Sequence, residues 1–397
     1  MIYLRQIIKQ IVSDNILIIK CKYGPLVLNN DSDLVRLSAV IDWLERSIET
    51  GNGGSSGEFN LISGSWSHPF PETTGYIIPT LIKYSKDYNK KKYSDLALKI
   101  CDWLISVQMQ NGACMGGYFN KSKNQKPIIF NTGQNILGFI SAYYYSNDNR
   151  YLNAAINAGN FLINCVDDNF IWNSSLHNNL KHTYNSRSSW ALLQLYNTTG
   201  IIKYKKVAEA NLNWVINQQQ KNGWFNNANF KKNEYPNTHG LAYTIRGLIE
   251  SYDITKNDDY LKSCLLLSEK FKKMFEIKKL LFTFWDNKFK NHDKIFKFSK
   301  GEYVCITGII QMSLVWMRIY QITGDKTYLS SAFKVIDFVK NTQDIKTNNK
   351  NIYGGIKGSL PVYGKYAFMK YPNWASKFFA DSLMLSIELK NELETKI

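Results

Sequence analysis

The chain has 397 residues, of which 44% are hydrophobic and 14% aromatic, and 49 Lys and Arg against 32 Asp and Glu give a net charge of +17. This composition excludes a disordered protein, and the length allows about two or three ordinary domains or one large closed architecture. No uninterrupted apolar run reaches the roughly 18 residues of a transmembrane helix. The early run at residues 11–19 contains Ser13, Asp14 and Asn15 and has no small-residue cleavage site, so we expect no secretory signal and a cytoplasmic location.

The positive charge predicts a polyanionic partner, either an acidic polysaccharide or an anionic membrane surface contacted peripherally. Codon bias toward Lys and Asn is the alternative explanation of this charge. The basic residues are spread along the chain and form no long tract, which argues against nucleic acid as a partner. The six cysteines are scattered without a C-x-x-C pair, which argues against a zinc site and a disulfide framework. We therefore expect no metal and no cofactor.

An internal repeat organises the chain. A tyrosine follows a short polar turn and opens a helical run five times, at Tyr93, Tyr151, Tyr204, Tyr260 and Tyr328. A bulky aromatic follows ten residues later in four of these runs, and in the Tyr260 run Lys270 takes that position with Phe271 beside it. Apolar residues at spacings of three and four indicate amphipathic helices on both sides of each turn. Each unit is thus a helix, a short turn, a second helix and a longer loop.

The two ends of the chain supply one more hairpin. Asp42-Trp43-Leu44 repeats the Asp102-Trp103-Leu104 of a second-type helix, whereas residues 371–389 form a first-type helix without a partner of its own. An open solenoid would need polar caps at both ends, and these ends are instead matching halves. The sequence therefore predicts an all-α fold, an (α/α)6 toroid over residues 32–391 that is closed by pairing of its first and last helices. Residues 1–31 form an N-terminal extension and residues 392–397 a C-terminal tail.

In such a ring the first-type helices line the axis, and polar side chains near their amino ends should point into one funnel that favours anions. His239, Tyr243 and Arg246 follow at i, i+4 and i+7 and therefore share a helix face. The candidate catalytic residues are Glu72, His182, Tyr184, Arg187, His239, Tyr243 and Arg246. The candidate substrate-binding residues are Trp66, His68, Tyr76, Asn131, Gln134, Asn185, Trp190, Glu302, Gln311, Lys357, Asn373, Trp374, Lys377 and Asp381.

Two reactions fit these residue types. In the first, Arg or Asn neutralises a uronate carboxylate while His or Tyr abstracts the C5 proton, which leads to β-elimination or epimerisation. In the second, two carboxylates from Glu72, Glu302 and Asp381 hydrolyse a glycosidic bond. A non-catalytic glycan-binding scaffold is a third interpretation, and buried ion pairing is the structural alternative for the arginines. The net charge and the two arginines favour proton abstraction on an acidic glycan.

Several motifs resemble a known family over residues 50–390. They are Pro71-Glu-Thr-Thr-Gly-Tyr76, Phe130-Asn-Thr-Gly-Gln134, His182-Thr-Tyr-Asn185, Ala242-Tyr-Thr-Ile-Arg-Gly247, Ile306-Thr-Gly308 with Gln311, Gly354-Gly-Ile-Lys-Gly-Ser359 and Tyr371-Pro-Asn-Trp-Ala375. The family consists of toroid proteins encoded among bacterial and archaeal surface-polysaccharide biosynthesis genes, and it is related in fold to six-hairpin glycosidases, polysaccharide lyases and terpenoid-cyclase-like proteins. The resemblance implies the six-hairpin fold and a polysaccharide or lipid-linked oligosaccharide substrate.

Overall fold

The repeats fold into thirteen α-helices and seven short strands in a computed structural model that describes residues 2–24, 29, 31–120, 125–296 and 299–395. Six inner helices surround the axis: α3 (Pro71–Asp87), α5 (Ile129–Ser146), α7 (Ser186–Thr199), α9 (Thr238–Thr255), α11 (Ile306–Thr323) and α13 (Asn373–Glu394). Six outer helices surround them: α2 (Asp33–Glu49), α4 (Lys91–Val107), α6 (Asn149–Ile163), α8 (Ile202–Asn217), α10 (Asp258–Lys278) and α12 (Lys326–Lys340). Helix α1 (Ile2–Tyr23) precedes the ring.

The helix contacts confirm the predicted (α/α)6 toroid. Five inner helices pack against the outer helix that follows them, and α13 packs against α2 to complete the sixth hairpin. Each inner helix also contacts the next one, including α13 with α3, so the ring is closed. Helix α13 continues to Glu394, and residues 396–397 of the predicted tail lie outside the described residues. None of the described helices combines the length and apolarity needed to cross a membrane.

The seven strands brace the loops at one end of the ring. They are β1 (Glu58–Asn60), β2 (Ser65–Trp66), β3 (Lys294–Phe296), β4 (Ser299–Lys300), β5 (Val304–Cys305), β6 (Ser359–Leu360) and β7 (Lys370–Pro372). In the antiparallel sheet β2-β1-β7, Phe59 pairs with Trp66 on one side and Tyr371 on the other. Strand β5 pairs with β6, and β3 with β4. Because β7 leads into α13 and β2 precedes α3, the first sheet fixes two adjacent inner-helix starts relative to each other.

The repeated tyrosine is the third residue of its outer helix, and its phenol donates a hydrogen bond to the preceding outer helix, an interaction we call the tyrosine bridge. The acceptor always stands one residue before the bulky aromatic position. The five bridges, at 2.9 to 3.1 Å, are Tyr93 to Asp42, Tyr151 to Asp102, Tyr204 to Asn160, Tyr260 to Asn213 and Tyr328 to Glu269. The repeat seen in the sequence is therefore a contact between successive hairpins.

The ring closes between α12 and α2 with a different interaction. Asp337 precedes Phe338 and occupies the acceptor position of the tyrosine bridge, but the third residue of α2 is Val35. Lys340, which is buried, instead forms ion pairs with both Asp337 and Asp33. An ammonium group thus joins the last outer helix to the first.

The N-terminal extension docks on the loops that precede α13. Asp14 and Lys357 form an ion pair in which each side chain is 3% exposed, and Gln10 accepts a second hydrogen bond from the same ammonium group. The other Asp14 oxygen accepts a hydrogen bond from the Val362 backbone at 2.8 Å. Because removing one partner of a buried ion pair is strongly destabilising, this pair holds α1 to the ring.

The tyrosine bridges predict a graded loss of stability on removal of single hydroxyl groups. We expect Tyr93→Phe to lower the free energy of unfolding by about 1.5–3 kcal/mol, because its acceptor Asp42 is a partly buried carboxylate. Tyr204→Phe should cost about 0.5–1.5 kcal/mol because its acceptor Asn160 is neutral. Urea unfolding measures both, with Tyr23→Phe at an 83% exposed tyrosine as the control. Equal stability of all three variants and the wild type would contradict a structural role for the bridge.

Candidate active site

Two cavities lie along the ring axis. The front cavity, about 260 Å³, lies at the amino ends of the inner helices and is lined by residues that include Glu72, Tyr184, His239 and Trp374. The rear cavity, about 510 Å³, extends toward the carboxyl ends of the same helices. Tyr76 lines both cavities, and its ring contacts Phe378 at 5.6 Å between centroids. The axis is therefore divided into two sites at different depths.

Glu72 is the only carboxylate among the described residues that line the front cavity. It is the second residue of α3, directly after Pro71, which starts the helix with its fixed backbone angle. No described residue donates a hydrogen bond to its carboxylate or forms an ion pair with it. Burial raises the pKa of Glu72 to about 8, although the charge of Arg187 acts in the opposite direction. At neutral pH Glu72 is therefore a carboxylic acid that holds a transferable proton.

His239 presents a hydrogen-bond donor to the front cavity. The Gln311 amide nitrogen donates to its Nδ1 and also to the Thr307 carbonyl at 3.1 Å, which fixes the orientation of the amide. Since Nδ1 accepts, the proton of the neutral ring belongs on Nε2. Burial, and secondarily the charge of Arg187, lower the pKa of His239 to about 3. Its Nε2–H has no partner among the described residues and is available to a ligand.

Aromatic rings form most of the front cavity wall. Phe130 contacts Tyr184 and Tyr243 at 5.1 Å each, and His239 contacts Tyr243 at 4.1 Å. Burial raises the pKa of both tyrosines, so their hydroxyl groups stay protonated at neutral pH. Trp374 donates its indole N–H to the Tyr366 hydroxyl at 2.8 Å. The cavity therefore offers flat apolar surfaces with a few neutral polar groups, an arrangement typical of small-molecule sites.

The structure divides the predicted site residues between the two cavities. Seven of them line the front cavity: Glu72, Tyr76, Asn131, Tyr184, His239, Tyr243 and Trp374. Five others line the rear cavity: Arg187, Trp190, Arg246, Lys377 and Asp381. Gln134 and Gln311 are buried and orient other side chains. Gln134 accepts a hydrogen bond from Arg187 Nε at 2.9 Å, and Gln311 donates to His239 Nδ1. The predicted single funnel is thus two sites.

The remaining seven predicted residues line neither cavity. Lys357 is paired with Asp14, and Glu302 forms an ion pair with Lys22. Trp66 is packed between Trp43 and Phe59, and the Asn373 amide donates to Ser55, Ser56 and Thr73 inside the protein. His68 is exposed near the β1–β2 hairpin, whereas His182 stacks on Tyr184 at 4.4 Å and, with Asn185, borders a small crevice outside the axis. Because these side chains serve local contacts, a position near a helix start does not by itself place them at the axis.

Several front-cavity residues were not predicted. Phe230 and Tyr366 come from irregular segments, and no periodicity in the sequence marks them. His177 precedes α7 by nine residues and its Nδ1 lies 3.2 Å from the Tyr184 hydroxyl. The cluster of His177 and His182 in one short loop was the available signal.

A metal site is not assembled in the described part of the chain. No group of three His, Cys, Asp or Glu side chains there has a geometry that could hold a metal ion. All six cysteines are buried and free of disulfide bonds.

Comparisons with known proteins identify related sequences and folds. The sequence model of a family described as β-L-arabinofuranosidase, GH127 catalytic domain, matches residues 63–292. The unsaturated glucuronyl hydrolase of Bacillus sp. GL1 has a similar structure, with a TM-score of 0.69, 13% identity and coverage of 89% of this chain and 96% of that chain. The structure of a GH76 α-mannanase from Bacteroides thetaiotaomicron is also similar, with a TM-score of 0.65, 16% identity and coverage of 92% of this chain and 98% of that chain. At these identities the two structures show the fold alone. No curated protein sequence matches the chain.

The raised pKa of Glu72 predicts a pH-dependent stability. Between the ordinary carboxyl pKa of 4.5 and about 8, folded Glu72 keeps a proton that the unfolded chain releases, so its contribution to stability falls as pH rises through this window. Because Glu72→Gln cannot ionise, its stability relative to the wild type should increase across the same window. Urea unfolding at successive pH values measures the difference, with Glu49→Gln as the control for a surface substitution. A difference that is constant with pH would contradict the assignment.

Proposed function

Because the chain belongs to the family described as β-L-arabinofuranosidase, GH127 catalytic domain, we propose that it hydrolyses a glycosidic bond in the front cavity. Glu72 gives its proton to the oxygen of the leaving group as the bond from that oxygen to the anomeric carbon breaks. A water molecule adds its oxygen to this carbon and releases a proton, which restores the Glu72 acid through solvent. His239 donates a hydrogen bond from Nε2 to the bound sugar. The observation that carries this proposal is the position of the Glu72 carboxyl group, which lies unpaired in a cavity of sugar size where burial raises its pKa to about 8. Glycosidases use such an acid as the general acid, often with a raised pKa.

The front cavity supports a neutral, terminal sugar as the substrate. No Lys or Arg is present among the described residues that line it, so a uronate carboxylate would lack a cationic partner there. Its volume of about 260 Å³ suits one sugar residue rather than a length of polysaccharide. The β-L-arabinofuranoside for which the family is named has these properties, and we propose it as the substrate class.

Two features favour hydrolysis over the proton abstraction that the sequence suggested. The available nitrogen of His239 carries a proton, and burial keeps Glu72, Tyr184 and Tyr243 protonated, so none of the four acid–base candidates predicted for this cavity is a ready base. Arg187 and Arg246, the groups expected to neutralise a uronate, line the rear cavity. The carboxylate pairing of Glu72 with Glu302 or Asp381 is also not assembled, because these side chains are paired elsewhere. The role in surface-polysaccharide biosynthesis stays a prediction from the motifs.

We also propose that α1 contacts an anionic membrane surface. Ile8, Val12, Ile16 and Ile19 are 48–57% exposed, and their spacing puts them on one helix face. The basic residues of the same helix are Arg5, Lys9, Lys20 and Lys22, whereas its one acidic residue, Asp14, is buried against the ring. An apolar face bordered by basic residues is the pattern of helices that lie in the membrane interface.

Activity measurements with two leaving groups test the role of Glu72. We expect Glu72→Gln to lower kcat/KM on an alkyl β-L-arabinofuranoside by about 10²–10⁴. A dinitrophenyl glycoside should lose far less, because its acidic leaving group needs no proton. Wild-type activity should fall above pH about 8, where Glu72 ionises, and this limb should disappear in the variant.

The surface variant Glu49→Gln is the matched control and should keep wild-type activity on both glycosides. Equal losses on both substrates in Glu72→Gln would show that Glu72 is not the proton donor. If a uronate polymer instead gave an unsaturated product, or took up solvent deuterium at C5, the reaction would be proton abstraction and not hydrolysis.

Vesicle sedimentation tests the membrane contact. We expect the wild type to bind phosphatidylcholine vesicles that contain phosphatidylglycerol and to dissociate at high salt, because screening weakens the attraction. Substitution of Ile8, Val12, Ile16 and Ile19 by Gln should abolish binding. The control replaces exposed apolar residues elsewhere, Ile62, Ile202 and Ile277, by Gln and should bind normally. Equal binding by the two variants would reject α1 as the contact.

A further inference from the structure

Arg187 is a buried cation without a carboxylate partner. It is 3% exposed, its guanidinium lines the rear cavity, and no described Asp or Glu oxygen lies within ion-pair distance of it. Its one hydrogen bond among the described residues goes from Nε to Gln134 at 2.9 Å. The guanidinium also stacks on Tyr243 and Trp190, at 4.9 and 5.4 Å from their ring centroids. Buried charges are normally paired because desolvation is costly, so this arrangement lacks an anion.

The other ionic groups of the rear cavity already have partners. Lys377 pairs with Asp381, which also accepts a hydrogen bond from Thr80 at 2.7 Å. Glu250 is shared between Arg246 and Arg318 at 2.8 and 3.2 Å. Lys83 at the rim pairs with Asp87 and Glu388. Arg187 is consequently the charge in this cavity that a ligand would neutralise.

The remaining wall of the rear cavity is largely apolar. Its aliphatic lining consists of Pro79, Leu137, Ile140, Leu314, Met384 and Leu385. Trp190 and Phe378 add aromatic surface beside the guanidinium. Since most polar groups of this cavity are engaged with one another, the hydroxyl groups of a sugar would find few free partners, whereas an apolar body would bury its surface favourably.

We propose that the rear cavity binds an organic anion with an apolar body, whose carboxylate or phosphate group pairs with Arg187. A guanidinium presents its donors in a planar fork that matches either group. The cavity volume of about 510 Å³ is within the range of small-molecule sites. This site goes beyond the proposed hydrolase and does not depend on it, because the ligand enters from the opposite end of the axis and touches no front-cavity acid.

Calorimetric titration of the full chain tests the proposal with simple probes. Octanoate and octyl phosphate combine a charged group with an apolar tail, and their comparison distinguishes a carboxylate ligand from a phosphate ligand. Acetate and inorganic phosphate supply the charge alone, octyl glucoside the tail alone, and glucuronate a charge on a polar body. We expect one of the two octyl anions to bind at one site at least tenfold more tightly than all four comparison probes.

Two variants locate the binding. Arg187→Met should weaken binding of the octyl anion at least tenfold, whereas Arg150→Met, a matched change at an exposed arginine outside the cavity, should leave it unchanged. Leu137→Trp fills the cavity but keeps the Arg187 guanidinium, and it should also abolish binding. If Arg187→Met does not fold, this second variant tests whether the probe binds in the rear cavity. Glu72→Gln should bind the probe normally, which separates this site from the front cavity. Unaltered binding in Arg187→Met or Leu137→Trp, glucuronate binding as tightly as octanoate, or no binding by either octyl anion would overturn the proposal.

Discussion

The tyrosine bridge between successive outer helices is the interaction on which the rest of the ring depends. A phenol at the third position of one helix reaches an acceptor in the second half of the previous one, so each bridge fixes the offset between neighbouring hairpins. The inner helices follow this offset because each is packed on its own outer helix. Their amino ends consequently meet at one face, where Glu72, Tyr184 and His239 come together from three different hairpins.

The contact between α12 and α2, which closes the ring, uses a different chemical group at the position of the tyrosine bridge. Between α12 and α2 the tyrosine is absent, and Lys340 instead joins Asp337 to Asp33 through two ion pairs. A cation that pairs with both carboxylates replaces a single donor, since two acidic residues would otherwise repel each other across the seam. The step from α12 to α2 is therefore joined by an ion-paired ammonium group in place of a phenol, and the ring closes without a sixth tyrosine bridge.

The sequence predicts the hairpins well and the depth of the site residues poorly. The tyrosine spacing and the matching ends were enough to predict a closed ring, because the tyrosine recurs in five hairpins and the two ends supply the helices of the sixth. His239 and Arg246 do share a helix face, but seven residues correspond to about 10 Å along the helix axis. That rise separates them into the front and rear cavities. Tyr366 escaped prediction because its position depends on the path of an irregular loop.

Arg187 connects the electrostatics of the two cavities. Its charge is the one influence that lowers the pKa of Glu72 against the effect of burial, and it also lowers the pKa of His239. An anion paired with Arg187 from the rear would cancel part of this field and keep Glu72 protonated to higher pH. Because coupling between two sites is reciprocal, ionisation of Glu72 would in turn weaken the anion at the rear. The two ligands would therefore occupy separate cavities, but their charges would be electrostatically coupled through Arg187.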